Sequence, residues 1–353
     1  MSTQAYSVPA SRNLIRAAMG YLERAEPVMV FADFGDQKQM PENSTDTLVF
    51  RRILPFGASL TASGLGTPAA QYVGTPQITA ANFVATEGVT PNANTVSFQD
   101  VSVTLQNYVV LYKFSSKVER LYEDDVPAEM QKLVGETLGE VLELVRFGVN
   151  KAGTQVVYAN GSSRAAVNTP ISLNKLRQVS RVLQSNRAKL ITSKLASGVD
   201  FGSVPVPASY IVFIHTDCAN DVRNLPNFKP YENYAVGTKL HAREIGAVDE
   251  FRFITSPLFT SFQASGSSTL NGMASVANAN VDVYPYIIVG ESAWGQVALK
   301  GMNAITPTML SSKLINHANP SGMFGYVGGN TWFNAVRLNE AFMCRLECGV
   351  TSL

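Results

Sequence analysis

A serine framed by glycines is the first place to look for a nucleophile. Gly290-Glu291-Ser292-Ala293-Trp294-Gly295 comes near the G-x-S-x-G elbow of hydrolases, but its second glycine falls one residue late. The elbow depends on that glycine to turn the backbone sharply beneath the serine, so the extra residue removes the geometry. An α/β hydrolase using Ser292 is left as a remote alternative. Gly64-Leu65-Gly66-Thr67-Pro68-Ala69 fits the loose dinucleotide fingerprint, with Glu87 at about the right distance beyond it. A proline nevertheless stands where the phosphate-binding helix should open. The acidic run Glu123-Asp124-Asp125 could hold a hard cation, yet helix capping explains it with no further assumption. Cys344 and Cys348 resemble half of a metal site, but the three histidines are scattered singly. Together with Cys218 they are read as structural thiols, since free cysteine behaves as a small buried apolar residue. No phosphate loop, paired-histidine helix or cysteine quartet occurs, so the sequence predicts no enzyme, no metal and no cofactor.

Charge gives a second kind of chemistry. Between Arg164 and Lys194 lie seven basic residues and no acid. Lys175, Arg177, Arg181, Arg187 and Lys189 among them could face nucleic acid through phosphate contacts. The alternative is a solvated face balanced by Glu129, Glu136, Glu140 and Glu143, and the lack of a stacking aromatic among the basic residues favours it. Over the whole chain of 353 residues the formal charge is only +1, so no general field draws nucleic acid or membrane. Charged residues make up 16%, against roughly 25% in ordinary soluble chains. A chain this poor in charge is expected to hide much of its surface in an assembly. Its odd cysteine count and the lack of an opening signal segment point to a reducing cytoplasm.

The elements that position these residues centre on a helix predicted over residues 127–157. Met130, Leu133, Val134, Leu138, Val141, Leu142 and Val145 share one of its faces, and Pro127 suits its first turn. Glu136, Glu140, Glu143 and Arg146 exclude a membrane span. Glycines 148 and 153 near its end are expected to let this spine bend. Residues 1–46 read as an arm, with a short amphipathic helix after Ser11 that cannot be stable alone. Strands are predicted near residues 48–54, 96–105 and 108–114. Between Arg52 and Lys113 there are sixty residues with two charges, Glu87 and Asp100, too few for an exposed loop. This excursion is expected to lie against another subunit, with Arg51, Arg52 and Glu87 making inter-subunit ion pairs. Ser172 should begin a second helix. A composition shift over residues 198–209 opens an α+β second domain with strands at 210–214, 251–255 and 286–289. Alternation at Phe342, Cys344, Leu346, Cys348 and Val350 predicts a half-buried strand that returns to the spine's domain, with Arg345 and Glu347 facing away.

Arm, low-charge hairpin, spine helix, inserted domain and returning strand follow the order of the tailed-bacteriophage major capsid proteins, the Hong Kong 97 type fold. FRRILPF at 50–56, ATEGVTP at 85–91, REIGAVDEFRFI at 243–254 and VGESAWG at 289–295 resemble the coliphage N-four-like branch, as does the segment from His215-Thr216-Asp217 through Asp221-Val222-Arg223 to Phe228 and Tyr234. That family pattern has His-Pro-Asp where this chain has His215-Thr216-Asp217. The resemblance implies an arm at 1–46, an extended loop at 47–113, a peripheral domain at 114–204 with 319–353, and an axial domain at 205–318. It also implies hexamers and pentamers closing an icosahedral head around double-stranded DNA, assembled in the host cytoplasm with scaffold, portal and decoration proteins as possible partners. Some relatives join subunits through a loop lysine, and this loop has none between Arg52 and Lys113. A non-covalent shell is therefore expected. A tail-tube or sheath subunit is the alternative structural class.

Overall fold

The computed structural model describes residues 29–41, 45–53, 84–85, 87–88, 90, 98–121, 126–191, 195–197, 203–205, 208–234, 239–300, 305–315 and 319–352. The predicted arm helix, most of the low-charge excursion, the Gly64–Ala69 stretch and the Glu123–Asp125 run lie outside them. Sixteen strands occur among the described residues. They are β1 (Asp36–Met40), β2 (Thr47–Ile53), β3 (Phe98–Thr104), β4 (Gln106–Ser115), β5 (Val156–Tyr158), β6 (Leu195–Ser197), β7 (Ser203–Pro205) and β8 (Tyr210–His215), then β9 (Lys229–Pro230), β10 (Glu244–Val248), β11 (Phe251–Ser256), β12 (Tyr284–Val289), β13 (Trp294–Leu299), β14 (Thr306–Leu310), β15 (Phe324–Arg337) and β16 (Met343–Cys348). The chain divides into two compact units, Met1–Leu48 with Val103–Arg146 and Gln296–Ala335, and Val49–Ser102 with Phe147–Gly295 and Val336–Leu353.

The first unit is a helix laid on a sheet. Its sheet runs β1-β13-β15-β14, and β4 pairs with β15 from Gln106 to Ser115. Strand alternation decides what the helix covers. Val110, Tyr112 and Phe114 of β4 point to one face with Val327 and meet Met130 and Val134 of the spine helix. This is the amphipathic match of a 3.6-residue stripe to a two-residue period.

The second unit is a mixed seven-stranded sheet in the order β5-β16-β12-β8-β11-β10-β9. β8 lies at its centre, parallel to β11 and antiparallel to β12, and five of its six residues are buried. A strand covered on both faces has to be apolar throughout, which is how YIVFIH reads. The helix Leu173–Ser185 buries Leu176, Val179 and Leu183 in the same core, and the Ser172 side chain accepts from Lys175 N as the predicted cap.

Two expectations need correcting here. The spine helix ends at Lys151, six residues short of the predicted end. Arg345 Nη1 donates to the carbonyls of Lys151 and Gly153, and the Thr154 N–H is taken by Glu340 at 2.9 Å. The first of those bonds satisfies the helix's last carbonyl, at Lys151, and the β-branched Val156 and Val157 continue as a strand parallel to β16. The last strand does not join the sheet that packs on the spine. Met343–Cys348 pairs antiparallel with β12 along its whole length, inside the second unit, and Glu347 is fully buried.

Gly153 is thus beyond the helix, in a buried turn, while Gly148 remains inside it. A Cβ added at Gly148 would meet nothing within 4 Å. Gly148→Ala is expected to raise stability by about 0.5–1 kcal/mol, through lower unfolded-state entropy and better helix propensity. Urea unfolding measures it, and a loss of stability would show that the chain needs a bend at this position.

Candidate inter-subunit surface

β2 pairs with β3, the two strands that flank the low-charge excursion. Arg51 and Asp100 form a two-bond fork, Nε to Oδ1 and Nη2 to Oδ2, both 2.8 Å. The guanidinium holds the Asp100 carboxyl below the usual carboxylate range, and the carboxylate raises Arg51 in turn. Arg52 Nε donates to Oε1 of the buried Gln99 at 2.6 Å. Both arginines therefore have partners on the paired strand of their own chain, which the sequence reading did not foresee. A cross-strand partner forty-nine residues away carries no local spacing signal. Glu87 is exposed in a turn, next to Gly88 at φ +81°.

Among the described residues, one face of the first unit's sheet is uncovered. Register puts Val109, Leu111 and Lys113 of β4 on the side opposite the spine helix, beside Asn330, Gly328 and Tyr326 of β15. Thr306, Thr308 and Leu310 of β14 complete the face. Val109 is 61% exposed and Leu111 55%, and Phe324 and Trp332 on β15 are also exposed. At its middle a Cβ on Gly328 would stand 2.5 Å from the Val110 carbonyl, so the face stays flat there. Lys113 Nζ lies 3.6 Å over the Phe324 ring. Apolar and aromatic groups contiguous over three strands mark a contact surface more often than a water-facing one.

The chain that leads into β1 is held to the spine by one carboxylate. Glu143 Oε1, fully buried, accepts the Val30 and Phe31 N–H groups at 3.0 and 2.9 Å. Arg146, one turn on, faces Glu143 Oε2 at 3.5 Å and donates to Gln296 Oε1 at 2.8 Å, while Gln296 Nε2 returns to the Ala32 carbonyl. Burial pushes the Glu143 carboxyl up and the Arg146 guanidinium down from their ordinary values. Glu143 therefore belongs to this anchor, not to a field balancing the basic helix.

On that basic helix Arg177 pairs with Asp249 at 3.0 Å, and Ser180 and Gln184 bind Glu250. The acids facing it thus belong to the turn between β10 and β11. Arg181, Arg187 and Lys189 are exposed and make no ion pair among the described residues, and Lys175 is half-buried. Ser292 is exposed at φ +55° in a turn that runs from strand β12 to strand β13, not from strand to helix. His215 Nδ1 accepts from the Asp217 N–H and its Nε2 meets the Pro257 carbonyl, so the His-Thr-Asp turn closes on itself. All three cysteines are buried free thiols, with Cys344 pushed up to about 12 by burial.

No protein-family model matches the chain, and no curated protein does. Solved structures do. The head structure of Helicobacter pylori bacteriophage KHP40 aligns with 89% of this chain and 87% of its own, at 13% identity and TM-score 0.58. The cyanophage Pam1 capsid aligns with 100% of this chain and 96% of its own, at 10% identity and TM-score 0.59. The capsid of Ralstonia phage GP4 covers 90% and 87%, at 9% identity and TM-score 0.57. With sequence identity so low, what is shared is backbone architecture, and it is shared over nearly the whole length. The chain has the fold of the tailed-phage capsid proteins, the Hong Kong 97 type.

Proposed function

We propose that this chain is the structural subunit of an icosahedral phage head, assembling with copies of itself into hexamers and pentamers around double-stranded DNA. The observation that carries the reading is the end-to-end match in fold to a capsid chain, 100% of this chain against 96% of that one. The bare sheet face of β4, β15 and β14 supports it, because a single molecule in water gains nothing from leaving those groups exposed. The arm (1–46) and the extended loop (47–113) belong to this proposal. So do the exposed cations Arg181, Arg187 and Lys189, on and just after the helix Leu173–Ser185, as a surface toward packaged DNA, with scaffold, portal and decoration proteins as further partners. No catalytic step is assigned to the chain. Modest contacts repeated at every interface become collectively tight, and no covalent link is required.

Negative-stain images of the expressed chain, alone or with its phage partners, test the reading. Closed shells are expected; tubes would favour a tail subunit, and neither form would remove the assembly reading. Arg52→Glu is expected to leave the isolated chain folded by circular dichroism while giving few or no particles. It reverses a charge at the hairpin base, and a loss of about 1.4 kcal/mol at one interface is a tenfold change that repeats at every copy. Normal particle yield would remove Arg52 from the contact.

A further inference from the structure

Three cations of the second unit surround one ring. Arg164 Cζ stands 3.5 Å from the Phe262 centroid, Lys151 Nζ 4.1 Å and Arg345 Cζ 5.7 Å. The first two charges are therefore no farther apart than about 8 Å, one Debye length at physiological salt, so solvent ions screen them only in part. A single carboxylate answers all three. Glu347, fully buried, takes Arg164 Nε and Nη2 at 2.7 and 2.8 Å and Arg345 Nε at 2.7 Å. Arg345 Nη1 goes to the end of the spine helix, whose dipole supplies about half a negative charge. More than one positive charge is left over. It sits where donors are also left over, since Lys151 spends one N–H on the Thr260 carbonyl and Arg164 Nη1 has no acceptor among the described residues.

We propose that Lys151, Arg164 and Arg345 form a half-buried site for a phosphate-class oxyanion. The remaining N–H groups of Lys151 and the unused Nη1 of Arg164, carried by two charges within about 8 Å of each other, suit a tetrahedral anion with several acceptor oxygens. Phe262 holds the stems apart without neutralising them, since a ring face attracts cations but accepts little charge. The Lys151 ammonium is already pushed below its usual range by burial and by both arginines, the electrostatic strain that an anion would relieve. Nothing in this inference depends on the shell reading. The anion's source is either free phosphate or a nucleic-acid phosphodiester, and the chemistry of the site is the same for both.

The full chain, unfolded by heat in millimolar phosphate and in chloride at equal ionic strength, gives the test. Wild type should gain about 2–4 °C in phosphate. Lys151→Met keeps the stem on Phe147 and Phe262 but removes the charge, and should lose that gain. Lys117→Met, at an exposed cation outside the cluster, should keep it. General exclusion of phosphate from protein surfaces acts on all three proteins alike, so their difference is the readout. Phosphorus resonance broadening by the wild-type chain is a second measurement that requires no variant. Equal melting in the two salts with no broadening, or a gain that survives in Lys151→Met, overturns the site. A short DNA duplex that sharpens the phosphate resonance again assigns the source to a phosphodiester; failure to displace assigns it to free phosphate.

Discussion

Glu347→Ala should destabilise the seven-stranded sheet by about 3–5 kcal/mol, the scale of breaking a buried ion pair from one side. The carboxylate is fully buried and binds two guanidiniums at once, Arg164 by a fork and Arg345 by one bond. Its removal strands Arg345, only 12% exposed, on the same strand, with Arg164 beside it. Arg345 cannot readily reach water, whereas Arg164 is partly exposed, and a guanidinium does not escape by losing its proton. The backbone around Glu347 is also structural, because its carbonyl accepts from the Ala159 N–H at the end of β5. Amide exchange of Met343–Cys348 reads the loss directly and avoids treating the whole two-unit chain as one transition. Glu347→Gln should cost less, keeping the packing and one acceptor oxygen. Exchange in the alanine variant within about 1 kcal/mol of wild type would show that the cluster carries no such energy. Phosphate should recover part of the loss in Glu347→Ala, while it should do nothing for Lys151→Met.

Much of this architecture is legible from local patterns. The strands around 210–214, 251–255 and 286–289, the Ser172 cap and the start of the spine at Pro127 all lie within a residue or two of their places. Each follows from periodicity or turn chemistry that a short window contains. What escapes is of two physical kinds. Arg345 and Glu347 occupy the polar positions of an alternating strand, and alternation alone reads them as solvent-facing. Burial of that second face depends on Arg164, Lys151 and Phe262, which come from three separate segments. The stop of the spine at Lys151 depends on the same Arg345, nearly two hundred residues further on. Arg51 and Asp100 give the other kind, a pair across a hairpin whose sequence separation hides it. The capsid fold was legible mainly as an order of segments, and backbone architecture is shared even where residue identity falls to about one in ten.

The anchor at Glu143 should fail as completely as the clamp at Glu347, with a consequence for the arm. Glu143→Ala leaves the Val30 and Phe31 N–H groups buried without an acceptor and Arg146 without the carboxylate that faces it. Each unsatisfied N–H costs about 1–3 kcal/mol and a stranded buried charge more, so the segment entering β1 should detach rather than bear about 3–5 kcal/mol. Exchange of the amides from Val30 to Met40 is expected to approach that of an open chain. Glu143→Gln is the informative partner, because its amide oxygen can still accept both N–H bonds. Its segment should stay protected, at the lesser cost of losing the attraction to Arg146. The pH dependence has a definite sign. Burial raises the folded carboxyl above its ordinary value, so its contribution to stability is full below the unfolded pKa and declines as pH rises through the folded one. Protonation leaves Oε1 free to go on accepting, so mild acid should retain the anchor. Loss of protection for residues 30–40 on acidification, in wild type but not in Glu143→Gln, would mean that the anionic form is what holds the chain.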